Sequence, residues 1–380
     1  MSPLKQSPVK DREEAPNGNG HGNGRRNGNG NSSRAERRTA RSSTTVTTSH
    51  TGIKLSEYGE YKELFYNLTL RELRSKYKRS VIGWGWSMIN PLANMAVYTI
   101  VFAVLLEIHP PVGVPSRLDN YALMLLAAML PWNFFQGSIM ESMGALLGNQ
   151  NLIQKTYFPR EMIPGATVAS KMVSHLIEMG LLLVVILGFG NWRALIYIPL
   201  VILTMAVIAA FALGLSLLFS IGNVFYRDIQ HFSNIFFFIW MFLTPIAYPY
   251  YILAGGLNSP TGSLASPKIV HLLGHAFNLG SLFKINPMTD AVLVFQSFMY
   301  DGALPGSTYV AKFANTVPVP AATVNGKLVG AHNVVDYTRL VIHSAVSWID
   351  FGYLIVWAVV SLVVGLWVFR KYEARLPEEL

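Results

Sequence analysis

Three groups of residues in this 380-residue chain could do chemistry. The first is Lys171, His175 and Glu178, spaced i, i+4, i+7 and therefore on one helical face, inside an apolar run. Ionisable groups within such a run are functional candidates, here as a proton relay or a polar lining for a solute. The structural alternative has Lys171 reaching back to the cytoplasmic interface, with His175 and Glu178 bonded to a neighbouring helix. The second group is NQNLIQKTYFPREMIP, residues 149–164, between two apolar segments. Lys155, Arg160 and Glu161 surround the pair Tyr157 and Phe158, read as exposed; Pro159 fixes one backbone angle and Pro164 is expected to stop a helix. A short amphipathic piece there suits a push from something soluble, although an ordinary interfacial loop helix would read the same way. Arg227-Asp228, in NVFYRDIQHF, would brace a second connection of this kind or form a simple interfacial salt bridge. The third group is aromatic: Phe232, Phe236, Phe237, Phe238, Trp240 and Phe242, with the pair Tyr98 and Phe102 upstream. Such rings suit either packing or the lining of a glycan path. Nothing matches a phosphate-cradling G-x-x-x-x-G-K-[ST] loop or an H-E-x-x-H metal motif. With no cysteine there is no disulfide, thiolate metal site or cysteine nucleophile.

The elements that must position these groups follow from hydropathy. Half the chain is hydrophobic (51%), 13% is charged and the mean hydropathy is +0.34, the pattern of an all-α polytopic membrane protein. The formal charge of +9 falls largely before the first apolar run, where a membrane flank explains it better than nucleic acid does. Residues 1–52, rich in Gly, Asn and Arg, read as a disordered cytoplasmic tail. Within 53–86, Tyr61, Leu64, Phe65 and Leu68 recur at helical spacing and predict an amphipathic interfacial helix. It leads through Arg71, Arg74, Lys76 and Arg79 to Trp84 and Trp86, a basic cluster and indole pair that place the N-terminus inside. Six spans are expected near 87–108, 121–145, 165–189, 195–220, 231–253 and 350–369, each about the 20 residues a bilayer core requires. Pro131 is expected to kink the second. The positive residues after 369 put the C-terminus inside too. Residues 254–349 then lie outside, with two semi-apolar pieces, 268–283 and 287–300, of re-entrant length and broken at Asn286-Pro287. Asn325-Gly326 signals a hairpin in a small extracellular β-element. Residues 370–380 form a short cytoplasmic tail.

Four stretches resemble the membrane subunit of ATP-binding-cassette exporters for polysaccharides, the O-antigen and teichoic-acid permeases. LRELRSKYKRSVIGWGWSMINP, IQKTYFPREMIP, NVFYRDI and LTPIAYP carry the likeness, which covers about 55–300 and the last span. The resemblance implies two copies of the chain, two separate ATPase subunits holding ATP and Mg2+, and no cofactor or catalytic residue in this chain. It makes 149–164 a coupling helix, with Lys155, Tyr157, Phe158, Pro159, Arg160, Glu161, Arg227 and Asp228 against the ATPase. A lipid-linked polysaccharide would enter beside the interfacial helix at Arg71, Arg74, Tyr77 and Arg79. It would then cross a channel lined by Trp86, Tyr98, Phe102, Phe232, Phe236 and Trp240, past two outer gate helices, from the cytoplasmic to the outer side of the plasma membrane. The tail's composition is of a kind associated with actinobacteria, which makes a cell-wall galactan the first expectation for the cargo. The long tail and the 301–347 segment depart from the family pattern. An ion-coupled transporter using Lys171, His175 and Glu178 is the competing expectation. A membrane glycosyltransferase ranks last, since no acidic metal-binding motif stands out.

Overall fold

The computed structural model of the chain describes residues 61–379, except 79–81, 84, 109, 111–112, 114, 157, 255, 259–262, 266–268, 273–274, 307, 320–321, 325–326, 330–331 and 344–345. At Tyr77, Tyr251, Pro377 and most strand positions the backbone alone is described. The expected tail 1–52 lies outside the described residues, as do Trp84, Arg79 and Tyr157.

The expected interfacial helix is α1, Lys62–Tyr77, shorter than 53–86. Glu63 in its first turn and Arg74 and Lys76 in its last oppose the helix dipole favourably. Its apolar side meets protein: Leu68 packs with Met162 and Ala166, and Tyr61, Leu64 and Phe65 join them. Among the described residues, five helices are long and apolar enough to cross a membrane. They are α2, Gly85–Tyr98, continued as a π-helical segment Thr99–Leu105; α3, Tyr121–Gly148; α5, Met162–Gly188; α6, Ile198–Phe225; and α11, Trp348–Tyr372. Between α3 and α5 sits a single short turn of helix, α4, Gln150–Lys155. Helix α3 is the central post, carrying fully buried Trp132, Phe134 and Phe135, and it stays helical through Pro131. Helices α6 and α11 meet backbone to backbone, because a Cβ on Gly365 would lie 2.3 Å from the Gly214 carbonyl oxygen. Small residues permit this kind of close crossing in membranes.

Two expectations are corrected. The fifth span, expected over 231–253, is a 14-residue helix, α7, Ile229–Phe242. At 1.5 Å per residue it rises roughly 21 Å, short of a 30 Å hydrocarbon core. Pro245 ends it, since proline offers no N–H and pushes Thr244 out of helical geometry. The exposed helix end is satisfied by Asn286, whose Nδ2 donates to the Leu243 carbonyl (3.2 Å) and to Thr244 Oγ1 (2.9 Å). The chain turns and resumes as α8, Tyr251–Ala254. Second, the outer piece 268–283 is not one helix. Ile269–Leu272 pairs antiparallel with His275–Asn278, and only Leu279–Phe283 (α9) is helical.

The second semi-apolar piece, 287–300, is helical: α10, Pro287–Gln296, extended by a π-helical segment Ser297–Asp301. Asn286 Oδ1 caps it by accepting from the Met288 N–H (3.0 Å), with proline in the first turn. Its core side is buried, including Met288, Ala291 and Val292. Beyond it the backbone pairs Thr308–Val319 with His332–His343. Ala322–Val324 pairs with Lys327–Val329 in the register of a two-residue turn, whose own residues 325–326 are outside the described set. A capping box at Ser347 and Asp350 starts α11, and Lys284 bonds Asp350 (2.7 Å), tying α9 to the start of that helix. The chain ends in a 3-10 turn, Glu373–Arg375, and α12, Leu376–Glu379.

Candidate functional site

Lys171, His175 and Glu178 share the wall of a cavity of about 500 Å3 between α1, α2, α3 and α5. Helix α2 contributes Trp86, Asn90 and Asn94; α3 contributes Asn133, Gln136 and Glu141. Each set recurs at helical spacing, so one face of each helix turns inward. Residues 133–141 lie roughly 10–22 Å along α3 from the end that carries α4. Glu141 is the hub: its carboxylate accepts from Lys171 Nζ (2.9 Å) and pairs with Lys76 from α1. The Lys171 side chain crosses α3 over Gly137, where a Cβ would come within 2.7 Å of its Cε. His175 is 1% exposed, tilted against Phe134 at 5.2 Å, with Nδ1 3.5 Å from Glu178 on its own helix. Neither imidazole nitrogen has a hydrogen-bond partner among the described residues. Asn90 and Asn94 are exposed and Asn133 is half-buried on the same cavity wall. Lys171 therefore reaches across to α3 and shares the Glu141 carboxylate with Lys76 of α1.

The 149–164 stretch is a different kind of site. Phe158, expected to be exposed, is 3% exposed and sits in an apolar cluster with Ile153, Ile221, Phe369 and Leu376. The backbone N–H of Arg160 donates to Glu373 Oε1 (3.1 Å) and its guanidinium donates to the Glu373 carbonyl. Glu161 is buried, with Arg370 at 3.6 Å. Thus Phe158, Arg160 and Glu161 turn inward onto the end of α11, because an apolar ring and a neutralised carboxylate are stable there. What faces outward is Gln150, Asn151, Gln154, Lys155 and Thr156. Pro164 does not stop a helix. It lies in the first turn of α5, where its missing N–H costs nothing. Nearby, Tyr226 is 71% exposed, and exposed Arg227 and Asp228 make no ion pair among the described residues.

The residues expected to admit a glycan fall in two places. The Arg71 guanidinium donates to Asn149 Oδ1, and Asn149 Nδ2 donates to the Ala145 carbonyl (2.7 Å), so Arg71 ties α1 to the α3–α4 junction. Arg74 is exposed; the Tyr77 side chain and Arg79 are outside the described residues. The six expected channel rings are not gathered within one chain. Trp86, 47% exposed, edges the polar cavity, while Tyr98 and Phe102 pack on the main core 6.0 Å apart. Phe232 is 63% exposed and stacks on Phe236 at 6.1 Å. Phe236 and Trp240 border a second, apolar cavity of about 690 Å3 with Phe219 and Trp357. Trp240 also packs on Phe135 (5.3 Å) and donates from Nε1 to Asn286 Oδ1 (2.7 Å).

Sequence reasoning missed Glu141. It is the sole carboxylate in α3, and an acid inside an apolar run is itself the signal that could have found it. It also missed that Glu373 and Arg370 face the 158–161 segment, since no local pattern relates positions more than 200 apart.

A profile described as ABC-2 type transporter matches residues 63–256. The chain is similar to the O-antigen export system permease protein RfbA of Myxococcus xanthus, 26% identical over 251 residues, covering 66% of this chain and 85% of that protein. It is similar to an RfbA of Klebsiella pneumoniae with the same description, 29% identical over 189 residues, 49% of this chain and 69% of that one. A more distant similarity is to the polysialic acid transport protein KpsM of Escherichia coli, 22% identical over 186 residues, 48% and 68% of the two chains.

Proposed function

Because the chain belongs to the ABC-2 type transporter family, we propose that it is the membrane permease subunit of an ATP-driven exporter of a cell-surface polysaccharide. The relatives named above support the cargo class. The observation that carries the mechanism is the outward polar face 150–156, backed by the inward-facing Phe158, Arg160 and Glu161. A force on that face would pass into the end of α11 through the 160–373 and 161–370 contacts. In this reading 149–164 lies in the cytoplasm and is pushed by a separate ATPase chain that holds ATP and Mg2+. Tyr226, Arg227 and Asp228 complete the docking surface. Helix α7 and the segment through α8 make the sixth crossing, so both termini are cytoplasmic in the plasma membrane. Two copies of the chain bring α2 with its π-helical extension, and α7, around a shared path, including the half-buried Tyr98 and Phe102 and the exposed Phe232 and Phe236. A lipid-linked polysaccharide, first a cell-wall galactan, enters beside α1 near Arg74 and leaves past α10.

The test is transport in inverted membrane vesicles carrying the chain and its ATPase. ATP should drive protection of a lipid-linked galactan from an external galactanase, and a proton gradient alone should not. The ion-coupled reading has one observation in its favour, the buried and unpartnered His175 beside Glu178. Transport driven by a proton gradient without ATP, and lost in Glu178→Gln, would establish it instead.

A further inference from the structure

We propose that the polar cavity between α1, α2, α3 and α5 is a binding site for a neutral sugar ring. Every residue lining it comes from a single protomer. The inference rests on the polysaccharide-exporter reading and assigns a place where that cargo is held. Four features carry it. The volume, about 500 Å3, falls within the roughly 300–1,000 Å3 of small-molecule sites. The charges cancel: Lys76 and Lys171 face Glu141 and Glu178, so nothing in the lining favours an anion such as a phosphate over a neutral ligand. The remaining polar groups are mostly amides that both donate and accept, Asn90, Asn94, Asn133 and Gln136, which suits hydroxyl groups that do the same.

The fourth feature is unsatisfied polarity. His175 is almost fully buried, and both its nitrogens lack hydrogen-bond partners among the described residues. A buried polar group left in this state is costly, and a ligand hydroxyl in the cavity would relieve it. Trp86, exposed at the cavity edge, adds a flat apolar face on which the C–H side of a sugar ring can rest. Lys76 supplies a mechanical link. It joins α1 to α3 through Glu141, so the occupant would sit under the clasp that holds α1 in place.

The absence of cysteine from the whole chain makes the test direct. Asn94→Cys and Asn133→Cys are each introduced as the sole cysteine of the full chain in lipid nanodiscs and reacted with a charged methanethiosulfonate reagent. Ser87→Cys, a nearly isosteric change in the same wall, serves if either amide variant fails to fold. Methyl β-galactopyranoside at about four times its Kd should slow labelling about fivefold. A cysteine at Val104, exposed on the π-helical end of the same span, should label at an unchanged rate. No protection at the cavity positions, or protection by inorganic phosphate in place of the saccharide, would overturn the proposal. Failure of the exporter reading is read separately, from whether an ATPase accompanies the chain and ATP drives export. A chain that exports normally yet shows no saccharide protection refutes the cavity assignment alone.

Discussion

Two levels of the α3–α5 pair are built in opposite ways. At the α4 end, polar groups are matched: Arg160 with Glu373, Arg370 with Glu161, Arg71 with Asn149, all around the buried Phe158. Farther along the same helices, the cavity holds a bridged carboxylate at Glu141 but leaves both nitrogens of the buried His175 without hydrogen-bond partners among the described residues. A matched, close-packed network resists deformation and can carry a force. A lining with unmatched donors and acceptors is poorly suited to that and well suited to taking a ligand. This contrast is the basis for proposing transmission at the α4 end and binding in the cavity.

The largest effect should come from Phe158→Ala. Removing a buried ring from the 158–369–376 cluster should destabilise the protein by roughly 3–5 kcal/mol, seen as a marked fall in the thermal midpoint of the detergent-solubilised chain. A midpoint near wild type would mean that this end is not a packed transmission point. Glu141→Ala comes next. It leaves Lys76 and Lys171 unpaired in a half-exposed site, so the loss should be about 1–3 kcal/mol, with faster proteolysis of the released α1. Equal loss at both sites would blunt the comparison.

Glu373→Gln should be milder, about 0.5–1.5 kcal/mol, because the amide oxygen can still accept from the Arg160 N–H. Its stronger signature should be functional: ATP hydrolysis continuing while export falls. Export falling in proportion to hydrolysis would remove the transmission role from the α11 end. Lys155→Glu and Tyr226→Ala lie on the outward face, and their stability should stay within about 0.5 kcal/mol of wild type. ATPase association should weaken in both.

Much of this was legible in the sequence where the governing physics is local. Apolar runs of bilayer length located five helices, and Asn286-Pro287 marked the start of α10 through its cap and first-turn proline. The fifth span was misread because hydropathy alone runs on past Leu243, whereas Thr244-Pro245 ends the helix and Asn286 closes it from a distant segment. Phe158 was misread for a similar reason. Its charged neighbours suggest a wet surface, but Arg160 and Glu161 find partners on the C-terminal segment and carry the ring inward with them. The face of Lys171, His175 and Glu178 was visible from spacing, while its hub, Glu141, lies on another helix and appears only on folding.

The most direct test of the account is to purify the tagged chain in mild detergent and identify what accompanies it, comparing wild type with Lys155→Glu. The account predicts an ATP-binding-cassette ATPase in one-to-one ratio with the wild-type chain, and substantially less of it with the variant. Recovery of the wild-type chain without an ATPase, even after crosslinking, would contradict the assignment of the 150–156 face as the place where ATP-driven force enters.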